Sequence, residues 1–145
     1  MPMNGKVVAA KEIPDEAFAQ EMMGPTLGIE PADGKVYAPF DGTVEMVFDA
    51  KHAITLTSRE GMEILIHVGL DTAKLAGAAF TAHVDAEQAV KKGNLLLEAD
   101  LAAIKAAGLS TVTPVVICNA DEYKSITKNM QATQRGEKLF GAEKE

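Results

Sequence analysis

Two of the chain's three histidines, His52 and His67, stand fifteen positions apart in the stretch HAITLTSREGMEILIHVG, each beside an apolar run. Imidazole changes charge near neutral pH, is a good nucleophile and ligates metals. Two imidazoles brought together could therefore share one small ligand, one phosphoryl group or one metal ion. A neutral ring nitrogen of one could accept a phosphoryl group while the other hydrogen-bonds its oxygens. Alternatively, the pair could supply half of a zinc site.

What must position them is a hairpin. HAITLTS and MEILIHVG flank the short polar segment SREG, the pattern of two antiparallel strands joined by a turn. Loop length then decides the register. A loop of four residues (58–61) or two (59–60) places His52 directly opposite His67, with Cβ atoms about 4.5–5.5 Å apart. A loop of three or five puts the two on opposite faces of the sheet. The even count is expected. It sets Ile54 opposite Leu65 on the histidine face, with Ala53, Thr55, Thr57, Met62, Ile64 and Ile66 on the other. Spacing alone leaves open both a functional pair and two packed structural histidines. The third histidine, His83 in FTAHVDAE, could complete a metal site but sits in a polar alternating segment that reads as surface. The chain has neither an H-E-x-x-H motif nor a Cys/His cluster.

Around this hairpin the sequence is densely punctuated. Gly, Pro and Asp mark breaks at Gly24-Pro25, Pro31 to Gly34, Pro39 to Gly42, Gly61, Gly77, Gly93, Gly108 and Pro114. Between them lie short runs over 35–38, 43–48, 53–57, 62–68, 79–84, 94–99 and 112–117, several rich in Val, Ile, Thr or Phe. That rhythm predicts an all-β, antiparallel sandwich or barrel-like fold. Short helices are expected in DEAFAQEMM, in DLAAIKAAG between a cap at Asp100 and Gly108, and in NADEYKSITKN from Asn119. The closing GAEKE reads as frayed.

The 145 residues are expected to form one domain, 1–145, with 47% apolar and 24% charged residues. The net charge of −7 and the lack of a long basic run exclude nucleic-acid binding as an expectation and suit a partner with a positive face. No run reaches the roughly 18–20 apolar residues of a membrane span. The N-terminus lacks an apolar signal region, and with Cys118 as the single cysteine no internal disulfide can form. A cytoplasmic protein, not inserted in the membrane, is expected.

The segments IPDEAF, VYAPFDGTVEMVFDAKHAITLTS, GMEILIHVGLDTAKLAG, EQAVKKGN and STVTPVVICNADE, from about residue 13 to 126, carry A-P-x-D-G-x-V, H-A, I-H-x-G-L-D-T and T-P-V-V-I in order. In these the chain resembles the glucose-type IIA proteins and domains of the bacterial phosphoenolpyruvate-dependent sugar phosphotransferase system. The resemblance implies a duplicated hybrid β motif with a few short helices. It implies a phosphocarrier that takes a phosphoryl group from the histidine phosphocarrier protein HPr and passes it to a IIB domain. His67 would be the acceptor, through Nε2, and His52 would stabilise the phosphoryl oxygens. Asp15 and Asp71 would lie near the phosphohistidine and engage partner arginines. Phe18, Met22, Met23, Phe48 and Leu65 would form an apolar docking ring. No cofactor is required, and zinc at His52 and His67 would be adventitious or regulatory. A monomer is expected.

One departure bears on the pair. Ala50 stands where well-known members have a Thr whose hydroxyl can bond the nearby imidazole. Three other readings compete. A regulatory protein-binding module would use the same apolar face. A biotinyl- or lipoyl-like carrier needs a modifiable lysine at a hairpin tip, where SREG has none and Lys51 lacks the usual flanks. A zinc hydrolase needs a third ligand.

Overall fold

The computed structural model describes residues 1–75, 77–131, 134 and 139–144. Twelve strands and two short helices account for nearly all of the regular structure among them. A seven-stranded antiparallel sheet runs in the order β1(Gly5–Ala9), β2(Thr26–Pro31), β10(Thr113–Ile117), β6(Glu63–His67), β5(Ala53–Ser58), β4(Gly42–Val47), β8(Ala89–Val90). A smaller sheet joins β3(Lys35–Tyr37), β9(Leu95–Ala99) and β7(Phe80–Ala82). A separate hairpin pairs β11(Tyr123–Lys128) with β12(Phe140–Lys144).

The expected runs become strands because each is short and bounded by turn residues, and most are rich in β-branched or aromatic residues. The core lies between the large and the small sheet. The first contributes Leu27, Ile29, Ile54, Leu56, Ile64, Ile66, Val115 and Ile117, and the second Val36, Phe80, Leu96 and Leu97. A second apolar cluster covers the other face of the large sheet: Val8, Ile13, Phe18, Ala53, Leu65, Leu70 and Val116. The central strands β6 and β10 are thus buried on both faces, which is why EILIH and TPVVI read as continuous rather than alternating runs.

Four expectations are corrected. The hairpin loop has three residues, Arg59 to Gly61. Ser58 N–H donates to Met62 O at 2.8 Å, and Gly61 takes φ 96°. This is the three-residue loop that closes on a left-handed residue, the place where Gly costs least. The register therefore pairs Ala53 with His67, Ile54 with Ile66 and Thr55 with Leu65. Ile54, Leu56, Ile64 and Ile66 face the core, while Ala53, Thr55, Thr57, Leu65 and His67 share the outer face. Second, NADEYKSITKN holds a single 3-10 turn, Ala120–Glu122, and then β11; its Tyr, Ile and Thr favour extended backbone over a helix. Third, GAEKE is not a frayed end: 140–144 pair with β11; residue 145 lies outside the described residues. Fourth, β1, β2 and β8 were not among the expected runs. Gly5, Gly28 and Pro31 disguise the β1–β2 pair as turns, and two residues are too few to signal β8.

Helix α1(Glu16–Ala19) begins at Asp15, whose carboxylate accepts from Ala17 N at 3.0 Å and Phe18 N at 3.4 Å. Helix α2(Leu101–Ala106) is capped by Asp100 in the expected way, through Ala103 N at 3.1 Å. The first helix is shorter than DEAFAQEMM suggested: Glu21 adopts φ 54° and accepts from Thr26 N, which turns the chain into β2. Among the described residues, no helix is long and apolar enough to cross a membrane.

Candidate functional site

His67 is the last residue of β6, on the outer face and half-buried. Its Nδ1 lies 2.7 Å from Gly69 O. A carbonyl only accepts, so Nδ1 carries the proton and, in the neutral ring, Nε2 keeps its lone pair. The carbonyl is held in turn. Gly69 has φ 77°, and a Cβ there would lie 2.6 Å from Thr72 Cγ2 and 2.9 Å from Ser110 O. Thr72 Oγ1 donates to Val68 O at 2.6 Å, and Leu70 N–H to Ser110 O at 3.0 Å. The V-G-L-D-T run after β6 thus forms a turn that presents the Gly69 carbonyl to His67.

His52 arrives differently. In the observed register it lies opposite Val68, whose N–H donates to its carbonyl at 2.7 Å. Strict alternation would turn its ring toward the core, away from His67. Yet the two ring centroids are 4.8 Å apart with planes at 82°. The alternation rule binds residues inside a strand, and His52 precedes β5. It follows a tight turn in which Lys51 N–H donates to Phe48 O at 2.7 Å and Lys51 takes φ 60°. The ring stands at the rim of the sheet, where both faces are within reach. The sequence expectation reached the right proximity through the wrong register.

Burial dominates the electrostatics. It lowers the pKa of His52 below the ordinary 6.5, and the neighbouring His67 lowers it further. His67 is also lowered, chiefly by burial; the Gly69 hydrogen bond and the charges of Asp15 and Asp71 oppose the shift. Both imidazoles are therefore neutral at neutral pH, and one offers a free Nε2 lone pair as a nucleophile.

The phosphoenolpyruvate-dependent sugar phosphotransferase system EIIA 1 family model matches residues 1–123. The chain belongs to this family. An EIIA component from Oceanobacillus iheyensis described as glucose-specific is 43% identical over 133 residues, 92% of this chain and 80% of that protein. A glucose-specific EIICBA component from Staphylococcus saprophyticus is 50% identical over 121 residues, 83% of this chain but 18% of its own length. A β-glucoside-specific EIIBCA component from Dickeya chrysanthemi is 46% identical over 125 residues, 86% of this chain and 20% of that protein. The chain thus spans about a fifth of these two fused relatives. Among solved structures, glucose permease IIA from Mycoplasma capricolum superposes with a TM-score of 0.86 at 28% identity, covering 96% of this chain and 90% of that one. The antiparallel sandwich is therefore that of a glucose-type IIA protein.

Of the remaining expected residues of this EIIA chain, Phe18, Phe48, Asp15 and Asp71 fall around the pair. Phe18 stacks obliquely on His67, centroids 5.2 Å apart at 56°. Phe48 meets His52 edge-on at 5.5 Å. Asp15 and Asp71 are both close enough for their charge to act on His67. Asp71 sits in a left-handed turn at φ 58° and Asp15 also caps α1, so each has a structural task as well. Phe18 and Leu65 are buried in the outer cluster and hold the site more than they display it. Met22 and Met23 are 70% and 43% exposed. His83 is not drawn in: its Nε2 pairs with Glu98 at 2.8 Å. Cys118, just past β10, is exposed as a residue, while partial desolvation of its thiol and then the charge of Glu63 raise its pKa.

Two residues escaped the sequence reading. Met46, 46% exposed, lies opposite Thr55 on the outer face, in the row that continues through Leu65 to Val116. The alternation in TVEMVF carried that signal, masked by a bulge between Val44 and Met46. Phe80, from β7, places its ring 6.5 Å from that of His52. Nothing in the sequence near Phe80 connects it with His52, because the contact is made between sheets.

Proposed function

We propose that this EIIA chain is a phosphocarrier in which His67 accepts a phosphoryl group from HPr on Nε2 and passes it to a IIB domain of a sugar permease. The observation that carries the reading is the Nδ1–H···O=C bond to Gly69, which leaves Nε2 as the nucleophile beside a second neutral imidazole. The Nε2 lone pair attacks phosphorus. The donor's N–P bond breaks with its electron pair returning to the donor ring, and the Nε2–P bond forms. The His67 ring then carries a positive charge, which Nδ1–H shares with the Gly69 carbonyl and which faces Asp15 and Asp71. His52 donates a hydrogen bond to a phosphoryl oxygen, and partner arginines offset the rest of the charge.

The docking surface on this reading combines Phe48, beside His52, with the exposed Met22, Met23 and Met46, and Asp15 and Asp71 are the acidic positions that meet partner arginines. Flexible, polarizable methionines suit a face that must fit a donor and an acceptor in turn. The protein works in the cytoplasm as a monomer, binds no nucleic acid and does not insert in the membrane. The transfer needs no resident metal. Among the described residues, no three His, Cys, Asp or Glu side chains group to hold one, so zinc shared by His52 and His67 would draw its other ligands from elsewhere. Such zinc would compete for the same Nε2 lone pair.

The test is a reconstituted relay. The chain is mixed with phosphoenolpyruvate, enzyme I and HPr, and added phosphate is located by intact mass and peptide mapping. Acid-labile phosphate on His67, lost in His67→Ala, is expected. No label from cognate partners would reject the reading.

A further inference from the structure

His52 is 6% exposed, and its Nδ1 is a buried side-chain nitrogen with no hydrogen-bond partner among the described residues. Ala50, two residues earlier, has no hydroxyl or amide to offer. What surrounds the ring is aromatic. Phe48 meets it edge-on from β4's end, Phe80 at 59° from the smaller sheet, and His67 at 82°. We propose that Phe80, together with Phe48, is the positioning element of His52: an aromatic clamp, rather than a hydrogen bond, sets the ring's orientation and keeps its proton on Nε2.

The two tautomers differ in cost. An N–H buried without an acceptor is among the rarest features of native structures, while an unpaired acceptor is better tolerated. In apolar surroundings Nδ1 is therefore the lone-pair nitrogen and Nε2 carries the hydrogen. Among the described residues, no hydrogen bond to Nδ1 holds the ring about its side-chain torsions. Edge-to-face packing against rings at 4.5–7 Å separation, the favoured aromatic geometry, takes that role. Phe80 is itself buried and part of the main core, so the clamp is anchored to the second sheet and not to the loop that carries His52. The tautomer also has a use: a neutral Nε2–H is a donor aimed at phosphoryl oxygens without adding a second positive charge beside His67. That last consequence rests on the phosphocarrier reading; the clamp and the tautomer do not.

The test uses the full chain and two readouts. Long-range 15N–1H spectra of the free protein assign the His52 tautomer, and the rate of phosphoryl transfer from phosphorylated chain to a IIB domain is measured separately. In the wild type, His52 Nδ1 should show the shift of an unprotonated nitrogen and Nε2 that of a protonated one. Phe80→Leu opens space for water at Nδ1, so the two shifts should converge toward an average. Onward transfer should fall about 10-fold or more while binding of the IIB domain is unchanged. Phe80→Met, which refills most of the volume, guards against misfolding of the leucine variant and should fall between. A wild-type His52 protonated on Nδ1 would overturn the proposal. So would wild-type nitrogen shifts and transfer in both variants. Absence of label on wild-type His67 would reject the phosphocarrier reading alone, and the nitrogen shifts would still decide this one.

Discussion

The two histidines lie side by side and are held by different physics. His67 ends a central strand and is pinned by a hydrogen bond to a carbonyl that a glycine turn fixes. His52 precedes its strand, follows a left-handed turn residue, and is wedged between rings with one nitrogen unpartnered. A nucleophile needs a defined tautomer and a defined direction, and a directional bond supplies both. A group that assists from the side needs a donor and a wall behind it. On the proposed function, one sheet rim delivers both from two neighbouring strands.

The largest effect expected is on the nucleophile. His67→Gln should abolish phosphoryl acceptance in the relay while leaving the fold, read by circular dichroism, intact. His52→Gln should leave acceptance by His67 in place and slow onward transfer by about 10²-fold, within the usual range for a positioned polar group. Equal loss of both steps would erase the distinction drawn between the two rings.

The support under His67 can be broken separately. Gly69→Ala places a side chain at φ 77° and within 2.9 Å of both Thr72 and Ser110. It should cost roughly 1–3 kcal/mol for the backbone alone, seen as a lowered midpoint in urea denaturation. His67 should lose its fixed tautomer in the same variant. Phe18→Ala is expected to let water reach the His67 ring. Burial is the largest cause of its lowered pKa, so the pKa should rise toward 6.5, as followed by proton NMR.

The smallest effect is on stability against pH. Both histidines titrate below 6.5 when folded, so below that value the unfolded chain binds more protons. Stability should fall as pH drops from about 6.5 through the folded values, and neither histidine should affect it above. The double variant His52→Gln, His67→Gln should flatten that slope in denaturant titrations at pH 5–7.

Much of this was legible from residue types. The strands over 35–37, 53–58, 63–67, 95–99 and 113–117 follow their apolar runs because turn residues bound them. The proximity of the histidines was legible in the hairpin, but not its register. Gly61 closing a three-residue loop was the available clue, set against an even count that brought the rings together more simply. The pair meets anyway because a turn residue is free of strand alternation, which no period in the sequence encodes. Asp15 and Asp100 were readable as caps, since the side-chain chemistry is local. Phe80 and Met46 were not, because one acts across two sheets and the other hides behind a bulge. The β1–β2 pair was missed where glycines take the place of β-branched residues.

On the proposed function, the Gly69 carbonyl makes Nε2 of His67 the acceptor. The direct measurement is a 31P and 15N spectrum of the chain phosphorylated by HPr. Phosphorus on Nε2 of His67, with Nδ1 still protonated, is the expected result. Phosphorus on Nδ1, or on any residue other than His67, would contradict it.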